Sequence, residues 1–215
     1  MSKKKISPNI VIVDYGVGNL HSLCQAFKHS GIVPLVTYDP ETIKRSDAVV
    51  LPGVGSFEAG MCGLKKRKLI DTIVTASINQ KPILGICLGA QVMLDVGYEF
   101  GTFNGLGLIP GKVIRFPKLN SEKIPHVGWN SVYKPTHISW KGTILQGLKN
   151  EFETYFVHSY VLVPSDKKYI YGLTSYGGHE FCSVIKKGNT YGCQFHPEKS
   201  GPMGLSIIDR FIKSI

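Results

Sequence analysis

Four β-branched residues in succession, Ile10-Val11-Ile12-Val13, constrain this chain more than any other stretch. Within Asn9–Asp14 no polar position alternates with the apolar ones, so both faces of the strand must be covered, as in a parallel sheet lying between helices. The run ends in Tyr15-Gly16-Val17-Gly18-Asn19, after which Leu20, Leu23 and Phe27 recur at helical spacing and Gly31 closes the segment. This strand-to-helix unit recurs. Val33–Thr37 predicts a second strand, and Asp47–Leu51 a third that runs into Pro52-Gly53-Val54-Gly55-Ser56-Phe57. A fourth opens at Pro82, passes Gly85-Ile86-Cys87-Leu88-Gly89, and predicts a helix starting over Ala90–Leu94. From Val113–Phe116 onward the rhythm changes to shorter strands between polar turns, at Ser131–Tyr133, Thr154–Val157, Tyr169–Ser175, Cys182–Ile185 and Tyr191–Phe195. A final helix carries Leu205, Ile208, Phe211 and Ile212. The expected fold is α/β and three-layered, with a mostly parallel central sheet, helices on both faces and antiparallel extensions. Residues 9–215 are expected to form one domain behind a basic, flexible extension at 1–8.

In open α/β sheets ligands bind beyond the C-terminal ends of the strands. The glycine-rich turn at Gly53 and Gly55 and the turn at Cys87 should therefore share one rim. Glycines two residues either side of Cys87 allow the tight turn of a nucleophile elbow, in which the central side chain projects from the top of the sheet. Cysteine at that place points to thioester chemistry. Such a nucleophile needs a base, and the base needs an orienting group. His196-Pro197-Glu198 supplies an imidazole and a carboxylate two residues apart at the end of a strand. His158 also follows a strand, and reads either as a satisfied core residue or as pocket lining. Gly16-x-Gly18 falls short of a dinucleotide fingerprint, because His21 stands where a third glycine is needed.

The five cysteines, Cys24, Cys62, Cys87, Cys182 and Cys193, are widely spaced and form no C-x-x-C pair, which excludes a disulfide framework and a zinc cage. His179-x-x-Cys182 is too thin to hold a metal, and no metal or cofactor is expected. A reducing cytoplasm is the expected setting. The lysine-rich start leads into an apolar run too short for a signal peptide, and no run reaches membrane-spanning length. The net charge of +10 would suit nucleic acid, an acidic partner or an anionic substrate. No nucleic-acid motif accompanies it, and Lys65-Lys66-Arg67-Lys68 reads as a solvated face between two helices.

Together, Pro52-Gly53-Val54-Gly55, Gly85-Ile86-Cys87-Leu88-Gly89-Ala90-Gln91 and Gln194-Phe195-His196-Pro197-Glu198-Lys199-Ser200 resemble the class I glutamine amidotransferases. Three further stretches, Asp14–Leu20, Pro125–Asn130 and Tyr155–Tyr160, are similar to the glutaminase subunits of imidazole glycerol phosphate synthase, which serve histidine biosynthesis. The resemblance implies that Cys87 attacks the side-chain amide of L-glutamine, that His196 carries the proton to the leaving ammonia, and that Glu198 orients the imidazole. It further implies an oxyanion hole from the backbone N–H groups of Val54 and Leu88, in the setting of Gly53 and Gly55, with Gln91 and Glu99 contacting the glutamine. Ammonia would pass to a separate cyclase subunit, a (β/α)8 barrel, docked near Asn19, Trp129, Tyr155 and Lys199. Two features depart from compact members: Ala90 stands where methionine is frequent, and about a dozen residues around Lys134–Lys149 read as inserted. Both also suit a paralogous glutaminase that feeds a different synthase, such as a surface-sugar amidating enzyme.

Overall fold

The structure, a computed structural model, describes residues 7–118 and 122–215, so most of the basic extension expected at 1–8 lies outside the described residues. Its parallel centre is β1 (Ile10–Val13), β2 (Leu35–Thr37), β3 (Ala48–Leu51), β4 (Ile83–Ile86) and β13 (Thr190–Cys193), in the order β2-β1-β3-β4-β13. The side chains of these strands alternate between two cores, as a pleated strand requires. Ile10, Ile12, Val50, Leu84 and Ile86 meet Leu23 and Phe27 of α1 (Leu20–His29) and Ile207, Ile208 and Phe211 of α6 (Gly201–Lys213). Val11, Val13, Val49, Leu51 and Ile83 face the other way, toward Ile43, Leu64 and Ile73 of α2 (Pro40–Arg45), α3 (Phe57–Lys66) and α4 (Ile70–Ile78). Two packed cores on one sheet make the three layers. The helix starts are set locally: the side chains of Asn19, Asp39 and Ser56 accept from backbone N–H groups in the first turns of α1, α2 and α3.

Beyond β13 the sheet turns mostly antiparallel. β12 (His179–Lys187) follows, then β10 (Tyr160–Pro164) and β7 (Gly111–Arg115), with β5 (Val96–Gly97) and β6 (Phe103–Asn104) at the far edge. A branch through β11 (Ile170–Tyr176) carries the hairpin of β8 (His126–Tyr133) and β9 (Glu151–His158). These strands are longer than their apolar cores suggest, and β10 has no counterpart among the expected strands. In β9 the inward series Phe152, Thr154, Phe156 and His158 mixes apolar and polar residues, and that mixture blurs the alternation.

A second correction concerns the elbow helix. It is one turn, α5 (Leu88–Gln91), beginning before Ala90 and stopping short of Leu94. The carbonyls of Val92, Met93 and Leu94 accept from the N–H groups of Leu106, Leu108, Ile109 and Gly107, so the backbone beyond Gln91 is satisfied by a neighbouring loop instead of by a continuing helix. The segment around 134–149 is well packed. Trp140, Ile144 and Leu145 are buried with Phe152, Trp140 Nε1 donates to Tyr171 O at 2.7 Å, and Arg210 Nε of α6 donates to Gln146 O at 2.7 Å. The basic cluster runs from the last turn of α3, with Lys65 and Lys66, into the link to α4 and is mostly exposed, with Arg67 over the Tyr38 ring at 5.8 Å.

Candidate active site

β4 and β13 are parallel neighbours in a register that sets Ile86 against Cys193, so residues just past both strands emerge together. One such residue is Cys87, whose N–H donates to Cys193 O at 2.7 Å and extends the ladder by one step. Its backbone then turns sharply, at φ +50° and ψ −108°, a conformation that strains any residue with a Cβ. Space for the turn comes from glycines. A Cβ on Gly89 would stand 1.9 Å from Leu51 O, and one on Gly85 2.6 Å from the Met93 methyl. The strain is held in place by close packing and aims the Cys87 sulfur beyond the sheet.

His196 lies past the end of β13, where it is buried and its Nδ1 meets Glu198 Oε1 at 2.8 Å. Burial works against the imidazolium, but hydrogen bonding and charge from Cys87 and Glu198 outweigh it and raise the His196 pKa well above its ordinary value. Nε2, the nitrogen left over, is the one that can face Cys87, close enough to feel the sulfur but without the geometry of a full hydrogen bond. The segment is stitched to β9: His196 N donates to Tyr155 O at 2.9 Å, Tyr155 N to Ser200 Oγ at 2.9 Å, and Ser200 Oγ to His196 O at 2.7 Å. Cys87 Sγ contacts the same strand through Val157 O at 3.8 Å. Tyr155 and Val157 lie two residues apart, so their carbonyls point the same way from β9 and hold both groups.

A cleft of about 260 Å³ opens at Cys87. Val54, Gly55, Leu88, Gln91 and Glu99 line it with the cysteine, and β9–β10 add Val157, His158, Ser159 and Tyr160 opposite. Of the expected catalytic and substrate residues, Gly53, His196 and Glu198 lie behind the cleft wall. Gly53 presses on the elbow so closely that a Cβ would stand 2.5 Å from Gly89 N and Leu88 Cβ. Glu99 Oε2 accepts from Phe57 N at 2.6 Å, which fixes the carboxylate at the start of α3. As the first N–H of α5, that of Leu88 has no acceptor within the helix and is free to meet a developing oxyanion. Asn19 caps α1 through Ser22 N at 3.2 Å. Trp129 is 56% exposed and meets Tyr155 edge-on at 6.3 Å between centroids, while Lys199 Nζ sits 5.9 Å from the Tyr155 ring centre.

Sequence reasoning passed over two groups that the fold brings here. The Tyr15 hydroxyl, fully buried, donates to Pro52 O and pins the start of the loop bearing Gly53 and Val54. Gln194 is also fully buried, and its Nε2 lies 3.7 Å from Cys87 Sγ. It precedes His196 by two residues, so the period of the strand placed it on the same side. His158 fulfils both of its readings, since it lines the cleft and is satisfied within the core. Its Nδ1 meets Tyr160 O at 2.9 Å and must carry the proton; its Nε2 accepts from His126 Nδ1 at 3.1 Å, and His126 Nε2 from Asn130 Nδ2 at 3.3 Å. Each tautomer is dictated by the next.

The arrangement has the parts for acyl transfer through sulfur: a strained cysteine, a buried base with its orienting carboxylate, and a cleft sized for a small amino acid. Similarities to known proteins agree. A family profile described as glutamine amidotransferase class-I matches residues 11–215. The chain is 45% identical over 210 residues to "Imidazole glycerol phosphate synthase subunit HisH 1" of Legionella pneumophila (strain Lens), covering 95% of this chain and 99% of the relative. It is 42% identical over 207 residues to "Imidazole glycerol phosphate synthase subunit HisH" of Lactococcus lactis subsp. lactis (strain IL1403), covering 96% and 98%. The fold is shared with PurLQS from Thermotoga maritima, at a TM-score of 0.74 and 19% identity over 97% of this chain and 99% of that one. A chain solved as a glutamine amidotransferase superposes at 0.73 with 16% identity, covering 95% and 97%. With nearly its whole length matched, this chain belongs to the class-I glutamine amidotransferase family.

Proposed function

We propose that the chain is the glutaminase subunit of an imidazole glycerol phosphate synthase. It releases ammonia from L-glutamine for a cyclase (β/α)8-barrel subunit, which forms imidazole glycerol phosphate and an aminoimidazole carboxamide ribotide. The observation that carries the chemistry is the buried His196–Glu198 pair beside a cysteine held at positive φ in the wall of a cleft. The likeness to subunits of that name, over nearly the full length of both chains, supports the pathway. Residues 9–215 act as one domain in this reading, in the cytoplasm, with no cofactor.

In the first half-reaction Cys87 gives its thiol proton to His196, the sulfur bonds to the amide carbon of glutamine, and the carbonyl oxygen becomes an oxyanion facing the N–H groups of Leu88 and Val54. His196 gives its proton to the amide nitrogen, the C–N bond breaks, and ammonia leaves a γ-glutamyl thioester. In the second, His196 takes a proton from water, the water oxygen bonds to the acyl carbon, the S–C bond breaks, and glutamate departs. Glu198 holds Nδ1–H throughout, leaving Nε2 to move the proton. Gln91 spends its Nε2 on Tyr160 O and Gln194 Oε1, both at 3.2 Å, so its carbonyl oxygen is the part left for the substrate. Glu99 lies across the cleft as a carboxylate for the substrate's ammonium group.

Glutamate release measured on the subunit alone and with the cyclase and its ribotide tests the reading. Low turnover alone, a rise on complex formation and complete loss in a folded Cys87→Ala variant are expected. Turnover by Cys87→Ala refutes the chemistry; stimulation by another amidating synthase and none by the cyclase refutes the pathway.

A further inference from the structure

We propose that Gln194 is a further catalytic residue, whose side-chain N–H donates to the Cys87 sulfur and stabilises negative charge there in both half-reactions. The inference rests on the glutaminase reading for the reaction and on the hydrogen-bond network for the contact.

The network leaves the Gln194 amide one orientation. Tyr160 O can only accept, so the Gln91 atom 3.2 Å from it is the nitrogen, and that nitrogen also donates to Gln194 at 3.2 Å. The atom Gln194 offers to Gln91 is therefore its oxygen. Its nitrogen then faces Cys87 Sγ at 3.7 Å, a hydrogen-bonding distance for the larger sulfur atom. Turning the amide over would set N–H against N–H on one side and a carbonyl oxygen against the sulfur on the other. Gln194 is fully buried, so water offers this N–H no alternative to the sulfur. Its backbone is fixed as well, with Gln194 N donating to Ser183 O at 2.9 Å.

The two other groups near the sulfur serve different states of it. As a thiol, Cys87 donates to Val157 O at 3.8 Å, and that contact is lost on deprotonation. The Gln194 contact strengthens on deprotonation, because an ionised acceptor makes a stronger hydrogen bond. His196 cannot take this role at every stage. It has passed its proton to the departing ammonia by the time the thioester stands, and must then act as a base. It regains a proton from water before the S–C bond breaks, whereas Gln194 neither gains nor loses one, so Gln194 is a donor to the sulfur at every stage, including when charge returns to it. A contact that is weak to the thioester and strong to the departing thiolate lowers the barrier without tightening substrate binding.

Gln194→Met removes the N–H at similar length, and can be read without glutamine. Iodoacetamide alkylates Cys87 and the exposed Cys62 in the same full-length chain, so Cys62 is the internal reference, with both sites followed by peptide mass spectrometry. The expected result is Cys87 alkylation at pH 7 slowed about tenfold relative to Cys62, with kcat for glutamine lowered about tenfold or more at nearly constant KM. A wild-type alkylation ratio overturns the proposal. If the variant does not fold, the wild-type protein decides: the Gln194 side-chain amide resonances should move when Cys87 is alkylated, and unchanged resonances overturn it. A wild-type chain that shows no glutamine turnover even with its synthase removes the glutaminase reading instead, while the alkylation ratio still reports the contact.

Discussion

Glu198 is useful at the cleft only through His196. Its Oε1 takes the Nδ1 proton at 2.8 Å in a site where both side chains are buried, so the carboxylate fixes the tautomer and offsets the cost of charging the ring. Glu198→Gln keeps the shape and removes the charge. We expect kcat for glutamine to fall about a hundredfold or more, by analogy with amide replacement of an orienting carboxylate in other triads. Steady-state kinetics alongside a thermal melt check this, and an unchanged kcat in a folded variant would take Glu198 out of the reaction. This pair was legible in the sequence because its geometry is local: two residues apart at a strand end, with proline stiffening the link. Gln194 was legible by the same period, one step further back. Tyr15 and the Val157 carbonyl were not, since their roles depend on where a loop and a distant strand come to rest, and no spacing records that.

At the level of elements, the hairpin β8–β9 carries a histidine pair that works only when neutral. Burial lowers the pKa of His126 to about 4. His158 falls to about 3, chiefly by burial, with His126 and His196 adding to the effect and the Tyr160 carbonyl opposing it. Both folded values lie below the unfolded value of about 6.5. Above that value both states are neutral and the pair carries no penalty. As pH falls from about 6.5 toward the folded values, the unfolded chain takes up protons that the folded chain refuses, so stability declines. His196 has the opposite shift: the folded ring already holds its proton while the unfolded one takes it up over the same interval, so it offsets part of the decline. Between pH 7 and pH 5 the loss is about 2 kcal/mol per imidazole. Denaturant melts at the two pH values should show the net decline, with a smaller loss in His158→Gln; a flat wild-type profile would mean that the imidazoles take up protons without disturbing the hairpin. The pair also shows where pattern reading ended. β1, β3 and β4 were legible because each is an apolar run, whereas β13, which opens on Thr190 and pairs in parallel with β4, was expected among the antiparallel extensions, and β9 buries Thr154 and His158 beside Phe152 and Phe156, so that its full length emerges only once their partners are known. The reach of α5 was hidden for a related reason: residues 92–94 have helical composition, but the loop at 106–109 takes their carbonyls.

At the scale of the whole molecule, the Cys87–His196 pair and the exposed aromatic patch both contact one strand, β9. Val127 and Trp129 on β8 are more than half exposed, and Trp129 leans on Tyr155 of β9, beside Lys199. The same β9 holds His196 through Tyr155 O and Cys87 through Val157 O. A partner seated on Trp129 and Tyr155 would press on the backbone that contacts both the cysteine and the imidazole, and among the described residues β9 pairs in the sheet with β8 alone. This gives docking a physical route to turnover that needs no new residue in the cleft. Lysine and aromatic side chains on an otherwise basic chain suit a partner surface that offers carboxylates around an apolar centre. We expect Trp129→Ala to weaken binding to the cyclase about tenfold or more and to reduce its stimulation of glutaminase activity. The melting temperature should stay within a few degrees of wild type, because the side chain is exposed. Lys199→Glu should weaken binding further at low salt than at high salt, since its contribution is a charge. Calorimetric titration of each variant at two ionic strengths decides the matter: wild-type affinity in Trp129→Ala would move the docking surface off the β8–β9 hairpin and leave its exposed aromatic face without this role.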